Sequence, residues 1–172
     1  GSFFTIGSAT IDPTTLLTDV KDGKEPVLTN IQADFPEDTT FTTTIGWSQG
    51  DYLEIAEALH REVWKDDPRD WHLYRIRFHT SCENLAGKFE YADFYYFQEV
   101  KMDGRIMYEV RNILIEPEYG YIAWGGDSFY PRPIIDRWDK IDLEMITKVP
   151  AEKALALAEQ QGGSNIRMEV EN

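Results

Sequence analysis

The 172-residue sequence predicts an α+β fold, an antiparallel meander of about four or more strands packed against two helices, and three observations carry that expectation. Apolar residues recur at helical spacing after Ser48 and again after Pro150. Between them, apolar and polar residues alternate with a period of two in several successive runs, the pattern of strands with one buried face. The runs are joined by very short connectors rich in Gly, Asp and Pro, which suit hairpins and leave no room for parallel crossovers.

Residues 1–46 read as a loop-rich lead-in with possible short strands, because Thr, Asp and Pro outnumber scattered apolar positions such as Ile11, Leu16 and Ile31. Within it, the β-branched run Phe41–Ile45 suits one strand. Residues 47–130 form a helix plus antiparallel sheet unit. Ser48 is a good N-cap, and Asp51 stands three residues on, where its carboxylate reaches back to the free amides. Tyr52, Ile55, Ala56, Leu59 and Val63 then make one apolar face, and Asp66-Asp67-Pro68 ends the helix.

Tyr74, Ile76 and Phe78 alternate with Arg75, Arg77 and His79 as the first firm strand. A turn over 81–88 leads into a long aromatic strand over Phe89–Lys101, and Asp103-Gly104 supplies the chemistry of a tight hairpin. The return strand is Ile106–Glu116, and Pro117–Gly120 turns into Tyr121–Trp124. Residues 125–140, with Gly125-Gly126 and Pro131-Arg132-Pro133, read as a linker or long surface loop. Residues 141–172 form a second helix–strand unit, possible completion of the same domain, with Pro150 at a first helical position, Gly162-Gly163 as the stop and Ile166, Met168 and Val170 alternating in a last strand.

Composition narrows the function classes. Aromatic residues at 13% and hydrophobic residues at 42% give ample core-forming surface. A formal charge of -14 repels phosphate backbones and anionic lipids, so nucleic acid is not an expected partner. The single thiol, Cys82, forms no internal disulfide, and no zinc-like Cys/His spacing occurs. No run is long and apolar enough to span a bilayer. Gly1-Ser2 has the character of an expression-vector scar, so a membrane is expected only through an anchor removed from ahead of residue 3.

Two stretches carry a family resemblance. Val149–Leu155 through Gly162-Gly163 to the strand at Ile166 resembles the opening of PepSY-type domains, and Ile113–Ile122, with its acidic turn and Gly120, resembles their closing strand pair. The resemblance implies a PepSY-like or cystatin-like single-sheet module outside the cytoplasm, secreted or membrane-anchored. Such modules mostly lack catalytic activity and associate with or restrain proteases and other envelope proteins. It carries over no catalytic residue and no cofactor.

The remaining constellations are weighed against plainer roles. His60, His72, His79 and Cys82 are the soft-ligand candidates, but in a strand His79 and Cys82 point to opposite faces, so no metal site is assigned. Acidic pairs such as Asp66-Asp67, Glu116 with Glu118, and Asp136 with Asp139 follow from composition alone. The aromatic group is the outstanding feature: Phe94-Tyr95-Tyr96-Phe97 forces large rings onto both faces of one strand. One face meets the helices. The other is covered by the amino-terminal segment or else is a ligand or partner surface, for which Trp71, Tyr91, Tyr95, Phe97, Tyr121 and Trp124 are the candidates. The expected function is therefore a non-catalytic, extracytoplasmic module binding a protein or peptide. The alternatives are a small-molecule domain with an aromatic-lined sheet cup and an unrecognised enzyme.

Overall fold

The computed structural model describes residues 5–34, 46–80 and 89–133, with 153, 156 and 160 as isolated positions. The Phe41–Ile45 strand, the turn over 81–88, Cys82 and the second helix–strand unit lie outside the described residues, save those isolated positions. The elements in chain order are β1 (Thr5–Thr10), α1 (Pro13–Lys21), β2 (Thr29–Gln32), α2 (Gln49–Trp64), β3 (His72–His79), β4 (Tyr91–Met102), β5 (Arg105–Glu116) and β6 (Tyr121–Tyr130). Single 3-10 turns at Pro68–Asp70 and Pro117–Tyr119 lead into β3 and β6.

The six strands among the described residues form one antiparallel sheet in the order β2-β1-β6-β5-β4-β3. The expected α+β architecture holds, and the four-strand meander β3–β6 occurs as the hairpin chemistry requires. At its centre Asp103 (φ 50) and Gly104 (φ 76) make a two-residue turn with both residues in the left-handed region. Helix α2 starts as the sequence indicates: the Asp51 amide donates to Ser48 Oγ at 3.2 Å, and the Ser48 amide donates to Asp51 Oδ2 at 3.0 Å.

Two features of the sequence reading change. Within the described residues 5–34 the lead-in holds two short strands, β1 and β2, and also a helix, α1, that the sequence reading did not include. Asp12 caps α1 by accepting from the Thr14 amide at 3.0 Å, and Pro13 sits at the first helical position, where a missing N–H costs nothing. Strands β1 and β2 then extend the sheet past β6. Nor is 125–130 a loop. Strand β6 runs through Gly125-Gly126 to Tyr130, because a register shift opposite Val110–Asn112, with Asp127 at φ 53, absorbs the break.

The core lies between the helices and one face of the sheet. Ile55, Ala56 and Leu59 of α2 and Leu16 of α1 pack on Ala9, Phe94, Tyr96, Ile113, Ile115 and Ile122. Tyr52 is fully buried and still satisfies its hydroxyl by donating to the Phe89 carbonyl at 2.9 Å.

Candidate functional site

The end of α2 and the start of β3 bring charged groups beneath the sheet. Arg111 faces the helices, between Glu109 and Ile113 on β5. Its Nη1 donates to Asp66 Oδ2 at 2.6 Å, and its Nη2 lies 3.4 Å from Glu109 Oε1. The guanidinium also sits 4.9 Å from the Trp64 ring centroid and 4.0 Å from that of Trp71, a cation held by two aromatic walls. Gly126 lies beside the cluster: a Cβ on it would touch Arg111 Cγ and Ile6 Cδ1 at 3.4 Å, about van der Waals contact.

His60, fully buried on α2, points into the same cluster. Its ring lies 4.8 Å from those of Trp64 and Tyr96. Nε2 approaches Asp66 Oδ1 to 3.0 Å, but off the line of a hydrogen bond, so neither atom is paired, and neither is Nδ1. Burial holds the imidazole well below its usual range against the pull of Asp66, and Arg111 adds to the depression. The histidine is neutral and sealed.

On the other side of Trp71 and Tyr96, a cleft of about 180 Å³ opens between α2 and β3. Leu53, Pro68, Trp71 and Leu73 make its apolar walls, with Glu57 and Arg69 also on the lining. The Arg69 guanidinium is already engaged by Asp67, through Nε at 3.0 Å and Nη2 at 2.5 Å, and that contact holds the Asp67 carboxyl down at about 2. Tyr96 lines the cleft as well; burial raises its phenol, with the Glu57 charge adding to the shift, so the hydroxyl stays protonated.

Among the described residues no strand pairs with the outer side of β3. The two-residue turn fixes which backbone groups are free there. Met102 and Arg105 are a hydrogen-bonded pair, and the β4–β5 register is unbroken, so the groups of Tyr96, Phe94 and Ala92 point to β5. Their partners Leu73, Ile76 and Phe78 therefore direct their N–H and C=O groups away from β4, along the open edge beside the cleft.

The six candidate aromatics do not form one surface. Trp71 and Trp124 lie on the helix-facing side, Trp71 against Arg111 and Trp124 across from Gly7. Tyr91, Tyr95, Phe97 and Tyr121 lie on the opposite face. There Tyr95 and Phe97 are 5% and 1% exposed, so this face is no open aromatic cup. Tyr95 accepts from Arg77 Nη2 at 2.6 Å, and the same nitrogen bonds Asp93 Oδ2 at 2.6 Å, with Arg75 and Arg77 held over the Tyr95 ring. His79 stacks on Tyr91 at 3.8 Å and His72 packs on Phe97 at 5.1 Å. His60, far from these two in role, is a core residue.

Sequence reasoning missed Arg111, Asp66 and the cleft. One signal was present: His60 continues the four-residue ladder Tyr52–Ala56 on the buried face of α2. Among the described residues no helix is long and apolar enough to cross a membrane. No family model, no curated protein and no solved structure matches this chain.

Proposed function

We propose that the protein is a non-catalytic module that binds a protein or peptide partner. The outer edge of β3, which no strand pairs among the described residues, carries this reading together with the apolar cleft beside it, since an extended segment gains backbone hydrogen bonds from such an edge and side-chain selectivity from the cleft. The one imidazole placed beside a carboxylate in the helix-facing cluster is sealed from solvent, which speaks against its use in acid–base chemistry. The resemblance to PepSY-type modules favours an extracytoplasmic setting, secreted or anchored.

Thermal unfolding in the presence of pooled peptides, nucleotides, sugars, lipids and divalent metals tests the reading. A ligand at a hundred times its dissociation constant stabilises by about 2.7 kcal/mol, roughly 5 to 11 °C for a chain of this size. Peptide pools are expected to raise the Tm while the other classes leave it unchanged. A shift with one small-molecule class alone overturns the proposal.

A further inference from the structure

Resting on the reading of a peptide-binding module, we infer that β3 and the α2–β3 cleft bind an extended segment that carries lysine or arginine at the position entering the cleft. The backbone dictates the geometry. A strand hydrogen-bonded to Leu73, Ile76 and Phe78 presents the side chains opposite them on the same face as theirs, the helix-facing side, so one enters the space between Leu73 and Leu53.

The lining selects the side chain. Leu53, Leu73, Pro68 and Trp71 suit an aliphatic stem, whereas the polar groups suit a cationic head. Glu57 supplies a carboxylate, and Glu54 lies exposed beside it on α2. The Tyr96 hydroxyl, protonated and on the cleft lining, offers an acceptor to an ammonium or guanidinium. Arg69 opposes a second cation only weakly, because its charge is matched by Asp67. A purely apolar side chain fills the walls but gains nothing from the Glu57 carboxylate at the rim. The chain's charge of -14 draws basic partners toward the site at long range.

The opposite face shows the complementary preference. Arg75 and Arg77 project there from the same strand, over Tyr95. An incoming strand that carried cations on both faces would meet like charge on that side, so its alternate positions are neutral or acidic. The edge thus discriminates by phase as well as by net charge.

The probes are short acetylated peptides that alternate threonine with lysine, together with counterparts in which norleucine or glutamate replaces lysine and a lysine peptide N-methylated on the edge that would meet β3. Affinity is read by titration, and amide exchange is followed at Leu73, Ile76 and Phe78. The lysine peptide is expected to bind about tenfold more tightly than the norleucine peptide, to weaken with added salt and to slow exchange at those three amides. Glu57→Gln should bring lysine down to the norleucine level, and this exposed substitution leaves the fold intact. N-methylation should abolish binding without any change to the protein. Equal binding of the N-methylated peptide, a lysine preference that survives Glu57→Gln, or no protection at β3 each overturns the inference. If any of these occurs while peptide pools still raise the Tm, the binding-module reading stands and only this site is removed.

Discussion

The Arg111 guanidinium lies 4.0 Å from the ring centroid of Trp71, and the same side chain bonds Asp66 across 45 residues of sequence. Strand β5, the end of α2 and the entry to β3 are held together by this one cation. Arg111→Met keeps the stem but leaves Asp66 beside a neutral histidine. Breaking a buried pair costs about 3 to 5 kcal/mol, but a third of the Asp66 side chain is exposed, so roughly 2 kcal/mol is expected. Arg111→Lys retains the charge without the plane that stacks on Trp71, and should lose about half as much. Urea unfolding at pH 7 measures both; equal stability of the methionine variant and the parent would show the cluster to be incidental.

His60 makes stability depend on pH in a window of its own. Its folded pKa is lowered from 6.5 to about 4 by burial. Above pH 6.5 the imidazole is neutral in both states and contributes no slope. As pH falls from 6.5 toward 4, the unfolded chain takes up a proton that the folded chain refuses, so stability drops by up to about 3 kcal/mol and then levels off. Glu116 and Glu118, whose carboxyls are raised by burial, act in the opposite sense over part of this range. They are common to parent and variant. The difference in unfolding free energy between the parent and His60→Gln, followed from pH 7 to 4, should therefore narrow as the parent loses its advantage; a constant difference contradicts the assignment.

The same cluster shows where sequence is informative. Helix α2 was legible because a capping box and a four-residue apolar ladder are local signals, and β3–β5 because alternation and an Asp-Gly turn are local too. Strand β1 was not. Apart from Ile6 its residues are small or polar, and their burial comes from neighbours distant in the chain: Ser8 is fully buried and bonds the Asp34 carbonyl, and Ala9 packs in the core. Helix α1 carried a readable start in Asp12-Pro13, but its Thr-rich first turn resembles extended chain. The Gly125-Gly126 pair has the look of a breaker, yet β6 runs through it to Tyr130. Arg111 itself stands in a series that otherwise buries Ile113 and Ile115, so it broke the alternation at the place where a site lay.

The β4–β5 hairpin depends on one glycine. Gly104 has a φ of 76, and a Cβ there would meet nothing within 4 Å, so its requirement is conformational and not steric crowding from outside the turn. Gly104→Ala should cost about 1 to 2 kcal/mol, and Gly104→Asn less, because asparagine tolerates the left-handed region. Chemical denaturation of the two variants checks the order; alanine tolerated as well as asparagine would contradict the turn geometry.

Gly7 and Trp124 face one another across β1 and β6, and the indole occupies the place a side chain at position 7 would need. A Cβ on Gly7 would lie 2.3 Å from Trp124 Cζ2 and 2.5 Å from Cε2. The contact is with the ring itself, which cannot bend away, so Gly7→Ala must turn the indole out of its rotamer or part the two strands. Overpacking of this kind costs about 1 to 3 kcal/mol. Trp124→Leu alone loses ring burial, but it also clears the position opposite Gly7. Alanine at position 7 should therefore be far less costly in a Trp124→Leu background than in the parent, a coupling of about 1 kcal/mol or more. A double-mutant cycle read by urea unfolding, with near-ultraviolet circular dichroism following the indole, decides it. Additive losses would mean that the ring moves freely and that Gly7 is not needed for the pairing of β1 with β6.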